Sequence, residues 1–399
     1  MTAVPDVGAP APTPAREAVP VGTARDHRGS WIPTGGMIAT RFMELRRRRG
    51  LMIALILVNI GLPTIFLLVR LLAHAFAPKS YGPAGGYEIY SNLAAGVMYI
   101  FGFIVAATLG CTAGSIDLTE GMFRHLVVTG RSRLALYLAR IPAGLAIILP
   151  LVAIGFTVVC TVCVFAAPTS INYNGVNVPA GLSRAGLESW AADHATVVLC
   201  DFNYNGPLNV NVPCGNGPSG PSGGTIIKGP PGSQGPTGQP TRAQLRAEAI
   251  MVARQNYSSY STEFLYPSDS LMVKTGLWLE LEALIGFVVA LGLASLLGQR
   301  MISVILMIVL EVVLTPIFSR ARIPHLSNLQ RSVVGVATAH LEPGGLPLVF
   351  GGGGGGGPGG GRGAGLLLPE STTVAVCVII AWLVGWTVLG AWRMMTRDA

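Results

Sequence analysis

Six apolar stretches constrain this chain more than any other feature: Leu51 to Val69, Tyr90 to Gly110, Ile141 to Ala167, Gly276 to Leu297, Met301 to Phe318 and Thr372 to Trp392. Each has roughly the 20 residues that a bilayer core requires. A short stretch such as the fifth could serve as a buried core helix, but six in one chain read as membrane spans. The first is interrupted only by Asn59 and Thr64, with Pro63 as a kink site; the third carries Pro142 and Pro150. The fourth and fifth are joined by Gly298, Gln299 and Arg300 alone. The expected fold class is an all-α membrane protein: six transmembrane helices, an N-terminal interfacial helix, a cytoplasmic helical handle and a long extracytoplasmic loop.

Charge agrees with that class. Of 399 residues, 12% are charged and half are apolar, whereas soluble proteins carry about a quarter charged residues. The net charge of +8 could suggest nucleic acid. The arginines flank apolar runs, however, which is where membrane proteins place them, so no nucleic-acid partner is expected. The chain divides into a disordered Pro/Ala/Gly-rich tail (1–35), the first three spans with their interfacial helix and handle (36–167), a Gly/Pro-rich loop (168–275) and the last three spans (276–399). The tail lacks the basic start and apolar core of a signal peptide. Met37, Ile38, Phe42 and Leu45 fall roughly on one face of a helix over 36–49, as in a helix lying on the inner membrane surface.

Orientation follows from the arginines. With the N-terminus inside, the inner flanks hold Arg41, Arg46 to Arg49, Arg300, Arg393 and Arg397. Both termini are then cytoplasmic. Arg320, Arg322 and Arg331 fall outside in this arrangement, within the loop 319–371, whose length weakens the rule. Abundant Ala, Gly and Arg suggest a high-GC bacterium and hence its inner, or plasma, membrane.

The loop 168–275 then lies outside. Cys200 and Cys214 sit in it. A disulfide between them would contribute about 3 kcal/mol, and two free thiols are the alternative. Cys160 and Cys163 have redox spacing but lie in an apolar helix, where small packing residues are the plainer reading. Glycines at 217, 220, 223, 229, 232, 235 and 238 form collagen-like triplets broken at Ile226. So few triplets favour a polyproline-like spacer over a trimerising stalk. Thr241 to Ser259 reads as a capped helix. In the loop 319–371, Val333 to Ala339 is too short to span and suits a re-entrant or interfacial segment. Gly351 to Gly357 has none of the lysine of a phosphate loop and is read as a flexible tip.

Two further places invite chemistry. Between the second and third spans, 115–133 is the only long polar and basic segment flanked by strongly apolar ones. Thr119 to Val128 reads as a short amphipathic helix, Thr129 and Gly130 break it, and Ser132 can cap a second helix starting near Arg133. It is either a docking handle for another protein or a loop made basic to set topology. Glu311 lies inside the fifth span. A charge there must face protein or water, or be protonated, so it marks a proton or substrate path or else has a structural partner. Glu280 and Glu282, near the start of the fourth span, read as interfacial. There is no HExxH motif and no credible catalytic triad, and the six histidines are scattered, so no metal site is expected.

The handle residues Asp117, Glu120, Gly121, Arg124, Leu126, Gly130, Ser132, Arg133 and Leu138 stand as D-x2-EG-x2-R-x-L-x3-G-x-SR-x4-L. With the interfacial helix and six spans, this resembles the membrane subunit, or permease, of an ABC transporter of the ABC-2 type. The resemblance covers residues 36 to 167 well and the last three spans by pattern; the long Gly/Pro-rich loop departs from it. It implies export driven by a separate P-loop ABC ATPase that binds ATP-Mg, so the chain itself would be no enzyme and would bind no cofactor. It implies a translocation path between this chain and a second permease copy or homologue in the lipid bilayer. The segment 116–128 would dock in the ATPase through Glu120 and Arg124 as polar contacts and Met122, Phe123 and Leu126 as apolar ones. Lipid, drug, peptide and polysaccharide cargoes all fit. The alternatives are a proton-coupled secondary transporter using Glu311 and a non-transport membrane sensor or assembly protein.

Overall fold

The structure, a computed structural model, describes residues 31–77, 84–119, 132–168, 170–173, 176–201, 242–263, 267–320, 325–343 and 370–396. Six helical stretches are long and apolar enough to cross a membrane: Arg49–Phe76, Ile89–Ile116, Arg133–Phe165, Asp269–Leu297, Arg300–Phe318 and Thr372–Thr396. They are numbered spans 1 to 6 in chain order. The side bearing residues 117–132 is called the handle side and the opposite one the loop side. All six expected stretches are present, and most run past their apolar limits. Span 4 begins at Asp269 because the Ser268 hydroxyl caps it, accepting from the Leu271 amide at 3.3 Å. It ends at Gly298, whose φ of 72° is left-handed and whose amide donates to the Ala294 carbonyl at 2.8 Å. Span 5 restarts at Arg300, as the short connection requires.

Spans 2 and 4 form the centre. Burial covers 65% and 72% of their apolar windows, against 22% in each of spans 1, 5 and 6, so the latter are peripheral. Lipid tails are as apolar as leucine, so packing rather than hydrophobicity must bring membrane helices together, and small residues permit it. Gly110 and Gly114 on span 2 do this. A Cβ at Gly110 would lie 2.3 Å from the Phe287 carbonyl oxygen of span 4, and one at Gly114 2.6 Å from that of Leu291. Gly292 meets span 6 in the same way, at the Trp386 carbonyl. The peripheral spans turn apolar side chains such as Ile53, Leu57, Ile65, Ile305 and Val388 outward.

Three spans contain π-helical turns: Leu57–Gly61, Leu93–Met98 and Val309–Leu314. An extra residue in a turn bends a helix and re-aims its side chains. The first turn ends just before Pro63 and holds the buried Asn59, whose amide donates to the Leu55 carbonyl at 3.3 Å. The third holds Glu311.

On the loop side, a small unit has an apolar cluster of its own and touches the start of span 2. The strands Ser170–Tyr173 and Val176–Pro179 pair antiparallel, with Ser170 opposite Pro179. This hairpin adds a β element to the expected all-α class. Val178 joins Leu187, Ala191, Val198, Ala249 and Val252, from the helices Arg184–Asp193, Ala195–Asp201 and Arg242–Glu263, in one apolar cluster. Tyr260 fastens the last helix to the hairpin, its hydroxyl donating to the Pro179 carbonyl. Arg254 grips Glu188 with two hydrogen bonds of 3.0 and 3.2 Å and holds that carboxyl below its ordinary pKa.

Candidate functional site

On the handle side, the first helix, Gly35–Arg47, expected to lie on the membrane surface, buries Met37, Arg41 and Leu45. Met37 packs against Ala135, Leu136 and Ala139 at the root of span 3. Arg41 reaches Glu44 at 2.7 Å. Ser132 caps span 3 as expected, accepting from the Ala135 amide at 3.1 Å. The Arg133 guanidinium donates to the Met395 carbonyl near the end of span 6 at 3.2 Å. Arg140, buried in span 3, donates to the Gly114 carbonyl of span 2 at 3.2 Å, and the Ser295 hydroxyl of span 4 meets the same oxygen at 3.4 Å. The two ends of the handle are therefore tied to spans 2, 3, 4 and 6 and to the first helix. Glu120, Met122, Phe123, Arg124 and Leu126 lie outside the described residues, as do the Cys200 side chain, Cys214, Thr241, the collagen-like triplets and the glycine tract.

The second place is inside the membrane. Glu311 is 1% exposed. Its carboxylate accepts from the Tyr99 hydroxyl of span 2, and Thr315, one turn on, lies 3.5 Å from its other oxygen. The Tyr99 ring stacks on Trp278 of span 4 with centroids 5.0 Å apart. One turn beyond Trp278 stands Glu282, 2% exposed. Its expected interfacial position is thus corrected: Glu282 is buried in the bundle and faces Glu311 and Glu342 electrostatically. Helical geometry explains this. Glu282 lies on the stripe Thr275, Trp278, Leu279, Ile285, Gly286 and Val289, all turned into the protein. That spacing was the available signal for it. Glu280 lies off the stripe and is half-buried.

The short helices Ser327–Arg331 and Val334–Ala339 close the site from the loop side. The second matches the expected short apolar run, and it is buried rather than laid on a surface. Gly335 lets it press on span 5, since a Cβ there would sit 2.4 Å from the Thr315 hydroxyl. The Trp278 indole donates to the Thr338 carbonyl at 3.1 Å, the Trp382 indole of span 6 to the Ser332 carbonyl at 2.7 Å, and the Gln330 amide to the Phe318 carbonyl at 3.2 Å. Three spans thereby hold the pair of helices. Just beyond it, burial pushes the Glu342 carboxyl up to about 8. His340 pairs with Glu370 at 3.7 Å.

No protein-family model, curated protein or solved structure matches this chain. Function therefore rests on the handle and on the buried acids. Among the described residues, no group of three or more His, Cys, Asp or Glu side chains is arranged to hold a metal ion. Cys163 is buried and Cys160 half-buried; both are free thiols in an apolar helix.

Proposed function

We propose that the chain is the membrane-spanning permease subunit of an ATP-driven exporter of the ABC-2 type, powered by a separate P-loop ATPase that docks on residues 116–128. The observation that carries this reading is the convergence at the handle. The first helix, the root of span 3 and the end of span 6 meet beside it, and Arg140 and Ser295 tie spans 3 and 4 to the Gly114 carbonyl just before it. A force applied to the handle reaches spans 2, 3 and 4 through buried contacts and span 6 through the exposed Arg133 bond, and close-packed interiors transmit strain instead of absorbing it. That is the mechanical requirement for turning closure of an ATPase dimer into movement of membrane helices. In this reading the handle side is cytoplasmic, the chain works in the bacterial inner membrane, and the cargo path runs between this chain and a second permease copy.

The test is purification of the tagged full chain in mild detergents, with mass spectrometry of what accompanies it. The expected result is a stoichiometric P-loop ATPase that is lost when Phe123→Asp and Arg124→Glu are introduced. Absence of an ATPase across several detergents, or its retention by the double variant, overturns the reading.

A further inference from the structure

The contacts beside the handle involve neither Glu282 nor Glu311. Glu282 of span 4 and Glu311 of span 5 both face Tyr99 of span 2 and are buried, with exposures of 2% and 1%. Span 2 supplies the Tyr99 hydroxyl; span 5 supplies Thr315. The short helix supplies Thr338, whose hydroxyl donates to the Gly335 carbonyl at 3.2 Å beside Glu282, and the segment after it supplies Glu342. Among the described residues, the groups facing the two carboxyls are Tyr99, Thr315, Thr338 and Glu342, none of them cationic. His325 is exposed, and His340 is turned to Val336 and Glu370.

Two details define what the pair lacks. Oε1 of Glu282 is buried without a hydrogen-bond partner. The Glu311 carboxylate, in contrast, is engaged on both oxygens. Two like charges in a low-dielectric interior repel strongly and forfeit hydration, so the pair needs one positive charge. A metal ion such as sodium or calcium would demand about six oxygen ligands around a cavity of its own size. Here the oxygens around the pair are the carboxyl groups and the hydroxyls of Tyr99 and Thr315, and of these Glu282 Oε1 alone is uncommitted. A proton needs neither the ligands nor the space.

We infer that Glu282 and Glu311 form a proton-binding site between spans 2, 4 and 5, in which the pair holds a single exchangeable proton steadied by the Tyr99 hydroxyl. The pair behaves as one titrating unit. Glu342, less deeply buried and itself protonated around neutral pH, links it to the loop side. This inference is independent of whether an ATPase drives the protein.

Infrared titration of the purified full chain in nanodiscs tests it, through the carbonyl band of protonated carboxyl groups. All variants carry Glu342→Gln, so that Glu342 does not contribute. The expected result is a protonated-carboxyl band at neutral pH that is lost in Glu282→Gln and in Glu311→Gln but retained in Glu280→Gln. Adding sodium or potassium chloride at fixed pH should leave the band unchanged. Tyr99→Phe removes only a hydroxyl and should move the titration midpoint by about one pH unit, even where the glutamine variants do not fold. A band indifferent to Glu282 and Glu311, an unmoved midpoint in Tyr99→Phe, or a band abolished by sodium overturns the inference; the last identifies a metal-cation site instead.

Discussion

Trp278 on span 4 donates its indole N–H to the Thr338 carbonyl at 3.1 Å, and so holds the short helix Val334–Ala339 against the centre of the bundle. Removing the donor strands a buried carbonyl. Trp278→Phe keeps an aromatic ring for Tyr99 to stack on but should cost about 1–3 kcal/mol. The loss should appear locally, as faster hydrogen exchange over 333–341 with little change in span 1. Unchanged exchange there would mean that the contacts of Ser332 and Gln330 hold the helix without Trp278.

Spans 4 and 6 touch through backbone. A Cβ at Gly292 would lie 2.4 Å from the Trp386 carbonyl oxygen, whereas one at Gly385 would meet nothing within 4 Å. Gly292→Ala must push span 6 away and should destabilise the protein by about 1–3 kcal/mol. Gly385→Ala should be neutral or favourable by up to about 1 kcal/mol, since alanine is the better helix former. Thermal denaturation in detergent, followed by the monodisperse fraction that survives heating, separates the two. Equal behaviour would mean that the spans do not approach so closely.

Glu342 predicts a pH dependence with a definite sign. Burial raises its folded pKa to about 8, above the ordinary glutamate value. The folded state therefore binds the proton more tightly than the unfolded state does. Its stabilising contribution is complete below the unfolded pKa, near 4.3, and is lost as pH rises through about 8. Glu342→Gln should therefore melt higher than the natural chain above pH 8. The advantage should shrink steadily toward about pH 4. Melting curves of both proteins across that range decide it; a constant difference would place Glu342 in water.

The six spans were legible because a bilayer demands length and apolarity, and both are written in composition. Their ends were less so. Span 4 gains the seven residues Asp269 to Thr275 from a serine cap and from packing, neither of which a hydropathy window weighs. Glu311 stands out as a lone acid in an apolar run, yet its partner Tyr99 lies far away in sequence, and only tertiary packing brings the two together. Glu282 was misplaced for the opposite reason. It sits close to polar residues in sequence, which suggests the membrane surface, while its burial follows from the helical stripe Thr275, Trp278, Leu279, Ile285, Gly286 and Val289. The Ser132 cap was local chemistry and was found as expected.

The link between spans 4 and 5 has a consequence for biogenesis. With only Gly298 and Gln299 between Leu297 and Arg300, neither helix can be threaded into lipid without the other. Span 5 alone would present Glu311 to hydrocarbon, an insertion penalty of about 3 kcal/mol on translocon scales if charged. Entering as a hairpin, the two helices can turn Glu311 and Glu282 toward each other before either meets the acyl chains. The tight turn thus lets a newly made chain carry two acids across the membrane interface under mutual cover.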